Sequence, residues 1–151
     1  MTFRSTLSIA LTALVLGTPV FAADNLKLNQ HLDYSSDSQD GPLIGGDNLA
    51  HGAVAGKVNY IIVYGEGCFN SKRQARRTVE LYRQYKGRVN FVIVDLDHAQ
   101  SAEQQALVKS YYDGYIPNVT VLDRSGHALY NHAGEVASAT IAALFDHALT
   151  H

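Results

Sequence analysis

Two short apolar runs, residues 58–64 (VNYIIVY) and 89–96 (VNFVIVDL), constrain the fold more than any other feature of this chain. Both are nearly continuous and rich in β-branched side chains, the pattern of strands covered on both faces, as in a parallel sheet. Parallel neighbours need a crossover between them. Residues 71–85 supply one, because Ala75, Val79, Tyr82 and nearby Tyr85 recur at helical spacing while Lys and Arg occupy other positions. The three segments form a βαβ unit.

A second helix is predicted over residues 101–112, with Ala102, Ala106, Val108 and Tyr112 as its apolar positions and Ser101 with Gln104 as a capping box. Residues 119–122, the turn Asp123-Arg124-Ser125-Gly126 and residues 128–130 read as a β-hairpin. Residues 138–149 close the chain as a helix, where Ile141, Leu144, Phe145 and Ala148 lie three and four apart. The order β-α-β-α-β-β-α is that of an α/β domain. A chain of 151 residues, 46% hydrophobic, suffices for one such core.

Residues 1–22 carry one cation, Arg4, then an apolar run and Val20-Phe21-Ala22, and read as a secretory signal peptide cleaved before Ala23. The run is too short for a comfortable membrane span. The mature protein is therefore expected to be exported, periplasmic or secreted, without stable membrane insertion. Residues 23–56 are polar, with SSDSQDGP at 35–42 and Gly45-Gly46 as loop signals, and are expected to form an irregular N-terminal arm with one short strand or helical turn. The domain proper runs from residue 57 to 151. Twelve Lys plus Arg against fourteen Asp plus Glu give a net charge of −2, which does not suit a nucleic-acid binder.

Cys68 is the only cysteine, which excludes an intramolecular disulfide, a CxxC redox pair and a multi-Cys zinc site. A single thiol in an exported protein is a reactive group, an intermolecular partner or a buried structural residue. Its place in Gly65-Glu66-Gly67-Cys68-Phe69-Asn70-Ser71-Lys72 puts it at or just before the N-terminus of the crossover helix. Unpaired backbone N–H groups there favour a thiolate. Lys72, Arg73, Arg76 and Arg77 follow, and the four-apart pairs repel one another near the positive end of the helix dipole. They are either a solvated helix face or a cluster opposed by an anion: the Cys68 thiolate, the carboxylates of a small thiol, or an acidic partner.

From about residue 58 to 149 the chain resembles the thioredoxin superfamily. The resemblance rests on VNYIIVYGEG leading into CFNSK, the VDLD strand end, Tyr115-Ile116-Pro117-Asn118 before a strand, the DRSG turn, and Gly134 before the last helix. It implies a central mixed β-sheet flanked by helices, with Pro117 cis and beside the reactive sulfur. Three departures stand out: the resolving cysteine is Ser71, giving CxxS; the usual Trp before the nucleophile is Gly67; and the buried acid of the first strand is replaced by Ile62. Ser71 cannot release a mixed disulfide, so dithiol turnover is closed to this chain.

The chemistry that the resemblance leaves open is attack of the Cys68 thiolate on a disulfide, with Ser71 donating a hydrogen bond to the sulfur and Pro117 shaping the site. Phe69, Tyr115, Ile116 and Lys72 are the expected substrate-binding residues. The partners would be protein disulfides or thiols and glutathione, as for monothiol glutaredoxins and CxxS disulfide isomerases, with no cofactor. A redox-inactive, chaperone-like binding scaffold using the surface around Phe69, Ile116 and Pro117 is the alternative. A Cys68-linked homodimer is a third reading.

Weaker signals are read without a function. The seven histidines are expected to be exposed and metal-free, the pair His147 and His151 included. Asp95 and Asp97 end a core strand and turn the chain. The sequon Asn118-Val119-Thr120 leads into a core strand and is incidental.

Overall fold

A computed structural model describes residues 23–151; the expected signal peptide, residues 1–22, lies outside the described residues. The two apolar runs form β3 (Val58–Tyr64) and β4 (Val89–Asp95), paired in parallel and in register from Val58 with Val89 to Tyr64 with Asp95. The crossover is α1 (Phe69–Tyr85), which buries Ala75, Val79, Leu81, Tyr82 and Tyr85. After α2 (Ala102–Tyr111), β5 (Asn118–Leu122) returns antiparallel to β3, and β6 (Ala128–Ala133) pairs antiparallel with β5. The strand order is β4-β3-β5-β6, a mixed sheet. Helix α3 (Ser138–Thr150) buries Ile141, Phe145 and Ala148 against it.

All seven residues of β3 are buried, as the continuous apolar run requires of a central strand. On the side covered by α1 and α3, the rings of Tyr60, Tyr82, Tyr85, Phe91 and Phe145 meet at centroid separations of 5.0–6.0 Å, mostly edge to face. The capping box at Ser101 is complete: its hydroxyl accepts from the Gln104 N–H, and the Gln104 side chain accepts from the Ser101 N–H. Helix α2 fully buries none of its residues and lies against the core through half-buried Leu107, Val108 and Tyr111.

The arm differs from expectation. Where one short strand or helical turn is expected, it forms two strands, β1 (Asp24–Leu28) and β2 (Ile44–Asp47), an antiparallel pair that places Leu26, Leu43 and Ile44 in the core, with irregular chain between them. Beyond β2, Ala50 makes an isolated parallel bridge to Val92, and the Asn90 side-chain amide donates to the Gly52 carbonyl at 3.1 Å. This stretch covers part of the exposed edge of β4, which would otherwise present unpaired backbone groups. The segment between β1 and β2 crosses the N-terminal end of α1, where the cysteine lies.

Candidate thiol site

Cys68 is the N-cap of α1, with extended backbone at φ −94° and ψ 119° and no capping bond from its own side chain. The thiol is partly exposed, and Sγ lies 3.9 Å from the carbonyl oxygen of Ile116. The Ile116–Pro117 peptide bond is cis, and Pro117 is buried. Gly65 is buried beneath Ile116; a Cβ at that position would come within 2.7 Å of Ile116 Cδ1, so the close seat of the isoleucine on the turn depends on glycine. Gln39, Gly65, Gly67, Cys68, Leu96, Asp97 and Ile116 line an open groove of about 420 Å³. Sulfur thus meets solvent beside a backbone edge contributed by the loop before β5.

The arm supplies what Cys68 does not. The Asp37 carboxylate accepts from the Phe69 N–H at 2.6 Å, capping a donor that α1 leaves unpaired. Gln39 lies over Gly67, and its amide approaches the Asp97 carboxylate at 3.5 Å. Asp97 in turn accepts from the Glu66 N–H at 2.7 Å, tying the β3–α1 turn to the end of β4.

Two expected roles are corrected. Ser71 is wholly buried on the inner side of α1, and its hydroxyl has no hydrogen-bond partner among the described residues. It donates nothing to Cys68, whose sulfur turns towards Ile116 instead. Lys72, expected on a substrate-facing surface, is also fully buried. Its ammonium donates to the Asp33 carbonyl at 2.5 Å, the Ser38 hydroxyl at 2.7 Å and the Asp40 carboxylate at 3.2 Å, all in the arm. Lysine enters an interior only where its donors are satisfied, and here three acceptors surround it.

The other helix cations find partners within the chain. Arg73 and Arg77 both bind Glu135, the latter at 2.9 Å, and Arg76 stacks over the Tyr34 ring at 5.3 Å. The anions that the cluster needs are Glu135 and Asp40. The Arg73 guanidinium lies 5.0 Å from the Phe69 ring centroid, and Tyr115, one residue before Ile116, is 73% exposed. Cys68 and Ile116 line the groove and Phe69 follows the cysteine at the start of α1, while Pro117, Ser71 and Lys72 are buried.

Ionisation follows these contacts. Hydrogen bonds from the Ser35 and Ser36 side chains hold the Asp33 carboxyl down at about 2, and those from Ser38 and Lys72 lower Asp40. Burial pushes the Asp95 carboxyl up, and the charge of Glu66 adds to the effect. Burial also raises Tyr64, beside Asp95. Sequence reading missed Asp37, Gln39, Glu66, His98 and Glu135. Of these, only Glu66, adjacent to the cysteine turn in GEGC, carried a local signal. Asn118 of the sequon is buried and donates to Asn131 at 2.9 Å.

No family model matches the chain, and no curated protein matches its sequence. Solved structures do match. A thioredoxin-like protein from Clostridium perfringens superposes with a TM-score of 0.52 at 18% identity, covering 64% of this chain and 74% of the other. Chloroplastic thioredoxin z gives 0.51 at 18% identity, covering 64% and 81%. Thioredoxin-2, a component of malaria parasite protein secretion machinery, gives 0.51 at 20% identity, covering 60% and 82%.

The fold is thioredoxin-like. The β1–β2 pair and the segment between them are joined to a thioredoxin-like α/β unit, and that segment meets the unit at the N-terminal end of its α1. Among the described residues, no helix is long and apolar enough to cross a membrane.

Proposed function

We propose that this is an exported monothiol exchange protein, in which Cys68 forms mixed disulfides with protein or small-thiol partners. The observation that supports it best is the position of Sγ: partly exposed, at the head of α1, and 3.9 Å from the Ile116 carbonyl beside Pro117. A partner disulfide lying in the groove would present its sulfur to Cys68 with its backbone along the Ile116 edge. The Cys68 thiolate attacks one sulfur of R–S–S–R′, a bond forms between Cys68 and RS, and R′S⁻ leaves with the electron pair. An external thiol, glutathione or a partner cysteine, then attacks the mixed disulfide and frees Cys68. No net oxidant is consumed, and Ser71 takes no part in release.

The experiment is intact-mass analysis of the mature protein after incubation with oxidised glutathione. One glutathione adduct per chain, absent from Cys68→Ser and removed by reduced glutathione, supports the reading. A folded protein that forms no adduct, while the unfolded chain does, overturns it.

One observation favours the scaffold reading instead: the arm occupies the end of α1 with Asp37 and withdraws Lys72 from the surface. Partner capture that survives Cys68→Ser would establish that reading. A Cys68-linked homodimer would appear in the same mass spectrum as a reducible species of twice the chain mass.

A further inference from the structure

Glu66, Asp95 and His98 bring one ligand atom each to within 4.8 Å of one another, at the point where the β3–α1 turn meets the end of β4. Glu66 is buried, and its Oε1 is 2.7 Å from His98 Nε2. That pair alone would be an ordinary ion pair. Asp95 brings a second carboxylate to this pair: it lies beside the Tyr64 hydroxyl, its buried Oδ2 makes no hydrogen bond of normal geometry among the described residues, and Oδ1 accepts from the Asp97 N–H at 3.0 Å. Two carboxylates held this close together, one of them on a buried glutamate, are costly without a positive charge between them.

We propose that Glu66, Asp95 and His98 form a binding site for a divalent transition-metal ion of the zinc type. Imidazole with two carboxylates is a donor set for such ions, whereas magnesium and calcium favour oxygen-only sets. Zinc takes nitrogen and oxygen ligands at about 2.0–2.2 Å. Ligand atoms around such an ion lie about 3.3 Å apart, so Glu66 Oε1 and His98 Nε2, now 2.7 Å apart, would open slightly while Asp95, within 4.8 Å of both, closes in. The ion takes the place of the Glu66–His98 hydrogen bond and supplies the positive charge between the two carboxylates. Asp95 and His98 also line a cavity of about 310 Å³ shared with His51 and Tyr64, from which water or an outside ligand completes the coordination. Because Glu66 precedes Cys68 by two residues, the bound ion would clamp the turn that carries the thiol to the end of β4.

The test is zinc titration by calorimetry on a Cys68→Ser background, so that the thiol contributes no ligand. One zinc per chain is expected, with affinity falling at least tenfold in His98→Ala and in Asp95→Asn and staying unchanged in His147→Ala. Cobalt bound to the wild-type protein is expected to give ligand-field bands without a thiolate charge-transfer band. Absence of stoichiometric zinc binding, binding indifferent to both His98→Ala and Asp95→Asn, or a cobalt–thiolate band would overturn the assignment. His98 is exposed but partners buried Glu66, so circular dichroism of His98→Ala is taken alongside the titration to show that the variant is folded.

Discussion

Replacing Lys72 with methionine isolates what one buried ammonium does for the arm. Lys72 donates to the Asp33 carbonyl, the Ser38 hydroxyl and the Asp40 carboxylate. A hydrogen bond from a charged donor contributes about 1.5–3 kcal/mol, while keeping an ammonium out of water costs several kcal/mol. Methionine fills the same channel without the desolvation cost and without the bonds, so the opposing effects leave a global loss of about 1–2 kcal/mol. Asp40 is 32% exposed and regains water on losing its partner, which keeps the loss small. The local effect is larger, because with the Asp37 cap these bonds hold residues 33–40 to α1. Urea denaturation is expected to show a slightly lower midpoint with an unchanged slope. Amide exchange in residues 33–41 is expected to accelerate by about tenfold or more, the mark of local opening. Unchanged protection there would refute the anchoring role. A global loss above about 4 kcal/mol, the size expected for a stranded buried charge, would refute the argument from Asp40 exposure.

Three further outcomes follow from the same geometry. Asp37→Ala removes the carboxylate that caps the Phe69 N–H, so stability should fall by about 1 kcal/mol, and Cys68 should react several-fold faster with anionic iodoacetate while gaining less with neutral iodoacetamide. Equal changes for the two reagents would show that Asp37 acts by shielding rather than by charge. Ser71→Cys places a thiol on the inner side of α1 three residues from Cys68, and insulin reduction with turnover is the expected gain; a folded but inactive variant would show that Gly67 and Ile62 also matter. Acid should release the arm before the core. Asp33 and Asp40 are held below their ordinary 3.8, so their contribution is complete above about pH 4 and is lost as pH falls through the lowered values, to about 2 for Asp33. Proteolysis within residues 33–41 that rises across that window, while the tyrosine near-ultraviolet signal holds, is the check.

Much of the fold was legible because its signals are local. The runs at 58–64 and 89–95, the Ser101–Gln104 box and the three-and-four spacing of Ile141, Phe145 and Ala148 each lie within a few residues. The position of Cys68 at the helix head followed from the strand-to-helix junction. The arm was not legible, since Leu26, Leu43 and Ile44 are scattered among Ser, Asp and Gly and show no period. Its anchors are single pairs between residues more than thirty apart, such as Asp37 with Phe69 and Ser38 with Lys72. Lysine on a helix reads as solvated, and only the three acceptors brought by the arm reverse that for Lys72. Glu66 and His98 are likewise 32 residues apart and meet because β3 and β4 are parallel neighbours in register.

Exchange through Cys68 requires that the folded protein present a competent nucleophile. The most direct measurement is the rate at which Cys68 reacts with a neutral aromatic disulfide, in the folded mature protein and in the same protein unfolded in urea. The position of Sγ in an open groove at the head of α1 predicts a folded rate at least equal to the unfolded one. A folded rate lower by about tenfold or more would contradict the exchange mechanism and leave the domain as a binding scaffold.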